Sequence, residues 1–380
     1  MIADRMTGVD MSGIRKMFEM APKEAINFGI GEPDFQPPEV VIAAFEKALR
    51  SGENNYGPSA GLPALREAIA VKERERDPSV TASSVIVTCG STSGLYATLA
   101  SFVNPGEEVL YPDPGFVLYA PHTQLVNGRA VPYPLRREHG FIPQVEDLEA
   151  RLTARTKAII VNSPSNPTGT TIPKREVKRI AEWARENDLL LISDEAYDTI
   201  TFDEPHASFL GEYENVVYLN TFSKAYAMTG WRIGYVVAKP EFADAIKKMN
   251  YHLVACPPTP TQHACLAALT GPQDFVKGMV EAFRERRDLI VKLIRQIPGF
   301  DIVEPKGAFY AFPSYDFDMP AKEICLALMR NGVVTTPGDA FGANGRGHVR
   351  FSYATSTMDI ERGLEIVRRT VESLPQVKKA

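Results

Sequence analysis

The chain has 380 residues, of which 44% are hydrophobic and 23% are charged. This composition excludes disorder as the main state, because disordered chains lack the apolar content that offsets the entropy of ordering. The 42 Lys and Arg side chains against 47 Asp and Glu give a formal charge of −5, which argues against nucleic-acid binding, since phosphate recognition needs a basic face. The length favours two or three domains.

The four cysteines lie far apart and form no C-x-x-C pair. This spacing argues against a disulfide scaffold or a metal cluster and fits a reducing compartment. Residues 1–10 show no apolar core of a signal peptide, and no run approaches the roughly 18 apolar residues of a membrane span. We therefore expect a cytoplasmic protein that binds neither a membrane nor a metal.

Short apolar runs alternate with amphipathic stretches through the first 270 residues. The runs are continuous rather than alternating, which is typical of parallel strands covered on both faces. The spacing predicts helices over residues 92–103 and 174–187, and no sheet pattern in the first 40 residues. The predicted strands are residues 85–89, 108–111, 157–161, 189–193, 216–220 and 233–238.

The pattern changes after about residue 270. A long amphipathic stretch predicts a helix over residues 272–296, and shorter elements follow it. These are a short element at 308–312, a helix at 322–331, a strand at 348–352 and a helix at 358–374. We expect an α/β fold with a mostly parallel central sheet in a large domain, and a smaller α+β domain.

Polar residues follow the predicted strands at the edge where parallel α/β sheets bind ligands. Residues 90–94 form a small-residue turn before a helix, which can cradle an anion, although ordinary helix capping has the same pattern. Asn166 lies in a loop fixed by two prolines. Asp194 and Tyr197 follow the strand at 189–193, where Asp194 is equally consistent with a helix cap.

Lys224 follows the strand at 216–220, and Arg232 comes eight residues later. A single lysine is usually a solvated charge, but a buried one has a lowered pKa and becomes nucleophilic. Arginine suits bidentate recognition of phosphate or carboxylate. Pyridoxal 5'-phosphate fits this combination of an anion cradle, an amide, an acid–phenol pair and a lysine–arginine pair. A lysine binds the aldehyde of this cofactor, and an acid keeps its ring nitrogen protonated.

The chain resembles the class I aminotransferase family, fold type I of the pyridoxal-phosphate enzymes. It is most similar to the branch with prokaryotic and archaeal aspartate and aromatic aminotransferases. The resemblance extends from GIGEPDF at 29–35 to RFSYAT at 350–355. Its most specific string is SKAYAMTGWRIG at 223–234, preceded by NPTG at 166–169 and SDEAY at 193–197.

The resemblance implies a role for each matching residue. Lys224 would hold the cofactor covalently and move the proton, Asp194 would pair with the pyridine nitrogen, and Tyr197 and Asn166 would bind the phenolic oxygen. Tyr119 matches a position near Asp194. The remaining cofactor residues would be Arg232, Ser223, Thr221, Ser91 and Thr92 at the phosphate, and Phe116 stacked on the ring.

The resemblance also implies substrate residues and a partner. Arg350 would clamp the substrate α-carboxylate, helped by Gly31 and Asn166, although a strand arginine is more often part of a structural ion pair. Tyr56 matches a tyrosine that reaches the phosphate in the neighbouring subunit, which implies a homodimer with composite sites. The expected organisation is an arm at 1–26, a large domain at 45–275 and a small domain built from 27–44 and 276–380.

The implied reaction is transfer of the amino group of an L-amino acid, aspartate or aromatic, to 2-oxoglutarate by a ping-pong mechanism. Some aspartate-preferring relatives place a lysine where this chain has Thr92, which leaves room for neutral side chains. The alternative on the same fold is a C–S β-lyase, because a fold does not fix a reaction. A DNA-binding regulator built on this fold would need a longer N-terminal region and a basic surface.

Overall fold

A computed structural model of the chain describes residues 2–7, 9, 22 and 24–374. The strands are β1 (Ile26–Asn27), β2 (Val85–Thr88), β3 (Glu108–Asp113), β4 (Arg129–Pro134), β5 (Thr156–Asn162), β6 (Leu190–Asp194), β7 (Val216–Thr221), β8 (Gly234–Val237), β9 (Phe300–Asp301), β10 (Tyr310–Ala311), β11 (Ser314–Tyr315), β12 (Val333–Val334), β13 (Thr336–Pro337) and β14 (Val349–Ser352). The α-helices are Glu39–Arg50, Pro63–Glu73, Ser91–Phe102, Tyr119–Leu125, Val145–Glu149, Lys174–Glu186, Phe222–Ala225, Pro240–Val254, Thr259–Thr270, Asp274–Ile294, Ala321–Arg330 and Thr357–Glu372.

The central sheet has seven strands in the order β2-β8-β7-β6-β5-β3-β4. Strand β8 runs antiparallel to both of its neighbours, β2 and β7. The other neighbouring pairs are parallel. The prediction of an α/β fold with a mostly parallel sheet is therefore confirmed, and the carboxyl ends of β3, β5, β6 and β7 meet at one edge.

Apolar side chains cover both faces of this sheet. Leu191 and Tyr218 belong to a buried cluster on one face, which includes residues of the helix Pro63–Glu73. Ile192 and Leu219 belong to a second buried cluster on the other face, with residues of the helix Ser91–Phe102. Two covered faces explain why these strands are continuous apolar runs in the sequence.

Six strands were not predicted: β1, β4, β9, β11, β12 and β13. Strand β4 carries Pro132 and Pro134, which obscure its pattern; the structure accommodates them because β4 lies at the sheet edge and pairs with β3 alone. The expectation that the first 40 residues lack sheet is wrong at β1, which pairs in parallel with β12. A two-residue strand is too short to produce a periodic pattern.

A third buried cluster joins the C-terminal elements to the segment around Phe28, and includes Phe283, Phe351 and Val367. The predicted domain boundaries stay a prediction. Most of the predicted arm at 1–26 lies outside the described residues. Among the helices of the described part of the chain, none has the length and apolar character needed to span a bilayer.

Candidate active site

A cavity of about 380 Å³ lies at the carboxyl edge of the central sheet. Its wall includes residues that directly follow or end β5, β6 and β7. All of the predicted site residues except Tyr56 line it: Gly31, Ser91, Thr92, Phe116, Asn166, Asp194, Tyr197, Thr221, Ser223, Lys224, Arg232 and Arg350. The structure thus brings together side chains that lie up to about 320 residues apart in the sequence.

Lys224 lies in the short helix Phe222–Ala225, directly after β7. Thr221 caps this helix by accepting a hydrogen bond from the Ser223 amide at 3.1 Å. The Lys224 amine donates to the carbonyl oxygen of Gly31 at 2.7 Å. Burial of the amine lowers the pKa of Lys224 to about 8, so an appreciable fraction is neutral and nucleophilic near physiological pH.

Asp194 ends β6 and is 8% exposed. Its carboxylate accepts hydrogen bonds from the Tyr119 hydroxyl at 2.8 Å and from the Ala196 amide at 3.3 Å. Burial raises the pKa of Asp194 to about 6. Within the described residues it forms no ion pair, so a bound cationic group would stabilise its charged form.

The helix Ser91–Phe102 points its N-terminal end at the same cavity. No side chain caps this end, and Gly90 precedes it with φ 79°. A Cβ on Gly90 would lie 2.6 Å from a guanidinium nitrogen of Arg232, and one on Gly234 would lie 2.6 Å from the Ser91 amide nitrogen. Because neither glycine carries a side chain, the backbone amides at the start of the helix and the Arg232 guanidinium can lie close together. Free amides at a helix N-terminus bind phosphate in this way.

Arg350 lies in β14 and is 1% exposed. Its guanidinium donates to Asn166 Oδ1 at 3.0 Å, to the Gly29 carbonyl and to Thr336 Oγ1 at 3.3 Å. Its Nε has no partner, and within residues 24–374 it makes no ion pair with a carboxylate. The ordinary expectation of a structural ion pair is therefore not met here, and the arrangement suits an anionic ligand.

Tyr310 also lines the cavity and was missed by the sequence analysis. Its hydroxyl lies 2.7 Å from that of Tyr197, and the Arg350 guanidinium lies 4.7 Å from its ring centre. A Cβ on Gly31 would lie 2.1 Å from the Tyr310 hydroxyl, which explains why glycine stands there. The sequence gives no sign that Tyr310 lines a site, because a tyrosine in a short apolar element has the same pattern as an aromatic residue of the core.

Tyr56 stands apart from the other predicted residues. It is 91% exposed and lies between the helices Glu39–Arg50 and Pro63–Glu73. It does not line the cavity of its own chain.

Comparisons with known proteins agree on a family. The family model for aminotransferase class I and II matches residues 23–367. A probable aspartate aminotransferase of Methanocaldococcus jannaschii is 40% identical over 98% of this chain and 100% of its own. An aromatic-amino-acid aminotransferase of Thermococcus litoralis is 36% identical over 98% of each chain. The solved structure of an alanine aminotransferase from Pyrococcus furiosus has a TM-score of 0.93 and 33% identity, over 98% of this chain and 100% of the other.

The chain belongs to the class I and II aminotransferase family. It has the α/β fold of the fold type I enzymes and is an enzyme of the transaminase class. These three relatives are named for aspartate, for aromatic amino acids and for alanine, so their names do not agree on a donor.

Proposed function

We propose that this enzyme uses pyridoxal 5'-phosphate to move the amino group of an L-amino acid to 2-oxoglutarate, in the cavity around Lys224. The observation that carries the proposal is the partly buried Lys224 amine in one cavity with Asp194 and Arg350, neither of which forms an ion pair within residues 24–374. This chemistry requires three groups: a nucleophilic amine, an acid that can pair with a bound cation, and a cation that can pair with a bound anion.

The residues present fit the cofactor at each of its ends. The uncapped helix start at Ser91 and Thr92, with Ser223, Thr221 and Arg232, would hold the phosphate. The buried Asp194 would pair with a protonated ring nitrogen. When bound, the cofactor supplies an electron sink for the substrate α-carbon, and an ionised Asp194 supports that property.

The phenolic side of the ring would face Tyr197 and Asn166, and Phe116 would stack against the ring. The Tyr310 hydroxyl lies 2.7 Å from the Tyr197 hydroxyl, and this contact holds the Tyr197 hydroxyl in place. Lys224 would hold the cofactor through its amine, and the same amine, when free, would accept the substrate α-proton and give it back.

Arg350 would bind the substrate α-carboxylate with its two terminal nitrogens, helped by Asn166 and the backbone of Gly31. Every amino acid and 2-oxo acid carries this group, so one site can serve donor and acceptor in turn, as a ping-pong mechanism needs. Aspartate and aromatic donors are supported by the names of relatives. Thr92 in the cavity wall leaves room for neutral side chains.

We further propose a homodimer in the cytoplasm. The exposed Tyr56 is suited to reach the phosphate in a partner subunit, because it does not line its own cavity. Each active site would then be complete only in the dimer.

The test is a steady-state assay with single L-amino acids as donors and 2-oxoglutarate as acceptor. The proposal expects glutamate as a product and parallel double-reciprocal plots, which are the signature of a ping-pong mechanism. Release of ammonia and pyruvate from cysteine-type substrates without any oxo acid would instead indicate the C–S β-lyase.

A further inference from the structure

A cluster of buried and partly buried charged side chains and phenols packs against the central sheet beside the proposed active site. Asp194 in β6 is the register partner of Leu219 in β7, so both point to the face covered by the helix Ser91–Phe102. Tyr218 precedes Leu219 and therefore points to the opposite face. We call the residues gathered there the ion cluster: Lys72, Glu73, Arg76, Asp198, Tyr218 and Tyr235.

Asp198 is the centre of the ion cluster. Its side chain is 2% exposed and accepts hydrogen bonds from Arg76 Nη2 at 2.6 Å, Lys72 Nζ at 3.2 Å and the Tyr218 hydroxyl at 3.2 Å. Burial opposes ionisation of Asp198, but the cations outweigh it and hold the pKa of its carboxyl well below the usual range. Asp198 is thus a charged group fixed from three sides.

Glu73 forms the second anionic point of the ion cluster, with a side chain that is 0% exposed. It accepts hydrogen bonds from Arg76 Nη1 at 2.6 Å and from the Tyr235 hydroxyl at 2.7 Å. Arg76 also donates to the Tyr218 hydroxyl at 2.6 Å. The ion cluster therefore ties the C-terminal end of the helix Pro63–Glu73 to strands β7 and β8.

The ion cluster is joined to the turn that carries two proposed cofactor residues. Asp198 directly follows Tyr197, and its amide donates to the Glu195 carbonyl at 3.0 Å. Glu195 is itself held by Ser193 Oγ at 2.7 Å and the Phe209 amide at 3.0 Å. The backbone between Asp194 and Asp198 is consequently fixed at both of its ends.

The ion cluster also reaches the turn that carries Lys224. Asn220 donates to the Tyr218 hydroxyl and accepts a hydrogen bond from the Thr221 amide at 2.6 Å. Thr221 caps the helix of Lys224 through Ser223. One set of side chains behind the sheet thus supports both turns from which Asp194, Tyr197 and Lys224 enter the cavity.

We propose that Asp198 is a positioning residue for the proposed transamination: it fixes the Asp194–Tyr197 turn against the Lys224 turn, and its charge balances Lys72 and Arg76 behind the active site. The proposal rests on the proposed function of the cavity. Without the Asp198 charge, the turn loses its contacts with Lys72 and Arg76. The excess positive charge of these two side chains then acts on Lys224 across the sheet. The other titratable or charged groups around Asp198 are Glu73, Glu195, His206, Tyr218, Tyr226 and Tyr235. The charged groups that face Lys224 are Glu32, Asp194, Arg232 and Arg350.

The test compares the cofactor-loaded wild type with Asp198→Asn, which keeps the shape and removes the charge. We expect kcat to fall about tenfold with the KM for the amino acid within about twofold, because Arg350 lies outside the ion cluster. We also expect the pH midpoint of the absorbance change of the bound cofactor to fall, since excess positive charge disfavours the protonated Lys224 nitrogen. A role in stability alone would lower the melting temperature and leave both readouts unchanged.

A second variant, Tyr218→Phe, separates the effect of positioning the turn from the effect of the Asp198 charge. It also tests the proposal if Asp198→Asn does not fold. It removes the hydroxyl between Asp198 and Asn220 and keeps both acidic groups. We expect a smaller loss of kcat, of about threefold, with the absorbance midpoint unchanged. The matched control is Glu67→Gln, which breaks an exposed 3.0 Å pair with Arg74 near the same helix and is expected to change nothing.

The outcomes separate the two proposals. Wild-type protein that transaminates no amino acid would contradict the proposed function. Active wild type with an unchanged kcat and absorbance midpoint in Asp198→Asn, or with an unchanged kcat in Tyr218→Phe where Asp198→Asn does not fold, would overturn the positioning role alone.

Discussion

The cations behind the central sheet and the arginine in the cavity have different kinds of partner. On the face behind the active site, Lys72 and Arg76 each pair with both Glu73 and Asp198. In the cavity, Arg350 is more deeply buried than either, but within residues 24–374 it donates to an amide oxygen, a carbonyl and a hydroxyl rather than to a carboxylate.

The difference distinguishes structural charge from functional charge. A buried ion pair that is complete within the chain has no capacity left for a ligand, whereas a buried ion without a counter-ion is costly unless a ligand completes it. Within the described part of the chain, Asp194 and Arg350 are of the second kind. Asp194 would meet the positive ring nitrogen of the cofactor, and Arg350 would meet the negative carboxylate of the substrate. The predictions below test this contrast, from the largest expected effect to the smallest.

Lys224→Ala should abolish turnover, with a loss of about ten-thousandfold or more, because the variant has neither the covalent anchor nor the base. The measurement is the steady-state rate with 2-oxoglutarate and the best donor. Lys247→Ala, which removes an exposed pair with Asp244, is the matched control and should retain wild-type turnover. Turnover within tenfold of wild type in Lys224→Ala would end the proposal.

Arg350→Ala should lower kcat/KM for every amino acid by about 10- to 100-fold, because all substrates share the α-carboxylate and lose a charge-assisted pair. Arg295→Ala removes an exposed partner of Glu304 and should have no effect. A loss confined to one class of amino acid would show that Arg350 contacts the side chain instead.

Gly31→Ala should raise KM by about tenfold, because its Cβ would meet the Tyr310 hydroxyl at 2.1 Å and displace the wall beside Arg350. Tyr310→Phe removes the clashing oxygen, so the double variant should recover part of the affinity relative to Gly31→Ala. Strictly additive losses in this double-mutant cycle would contradict the contact.

The rate at which the cofactor-free protein binds pyridoxal phosphate should rise with pH through about 8, since burial lowers the pKa of Lys224 to about 8 and only the neutral amine reacts. The rate would change about tenfold per pH unit below that value. Stopped-flow absorbance between pH 6 and 10 measures it. A midpoint near that of an ordinary lysine would mean that the amine is solvated.

The sequence predicted six of the seven strands of the central sheet and the turns that follow them, because each strand and its turn have a local pattern. Gly31, Phe116 and Arg350 were identified only from the family resemblance. Strand ends that carry Asp194 or Lys224 can be read directly, since parallel strands bring their carboxyl ends together. The ion cluster could not be read in this way. Its members come from a helix end, a turn and two strands. In the sequence, Lys72 and Arg76 cannot be distinguished from charged residues on the solvent-exposed side of a helix.

Tyr310 and strand β4 were missed for related reasons. The contact between Tyr310 and Tyr197 depends on how β10 packs across more than 100 residues, which no local pattern records. Strand β4 contains prolines that are acceptable only at a sheet edge, and edge position is a property of the assembled sheet. Arg350 was identified from the family resemblance. Within residues 24–374 it has no carboxylate partner, which gives a physical reason to expect it to bind an anionic substrate.

The most direct test of the central claim is the absorbance spectrum of the purified protein with pyridoxal phosphate, before and after single L-amino acids are added without an oxo acid. The account predicts a visible band from the cofactor bound at Lys224, which an effective donor converts to the spectrum of the pyridoxamine form. A protein that stays colourless after incubation with pyridoxal phosphate would contradict the assignment of Lys224 and the function built on it.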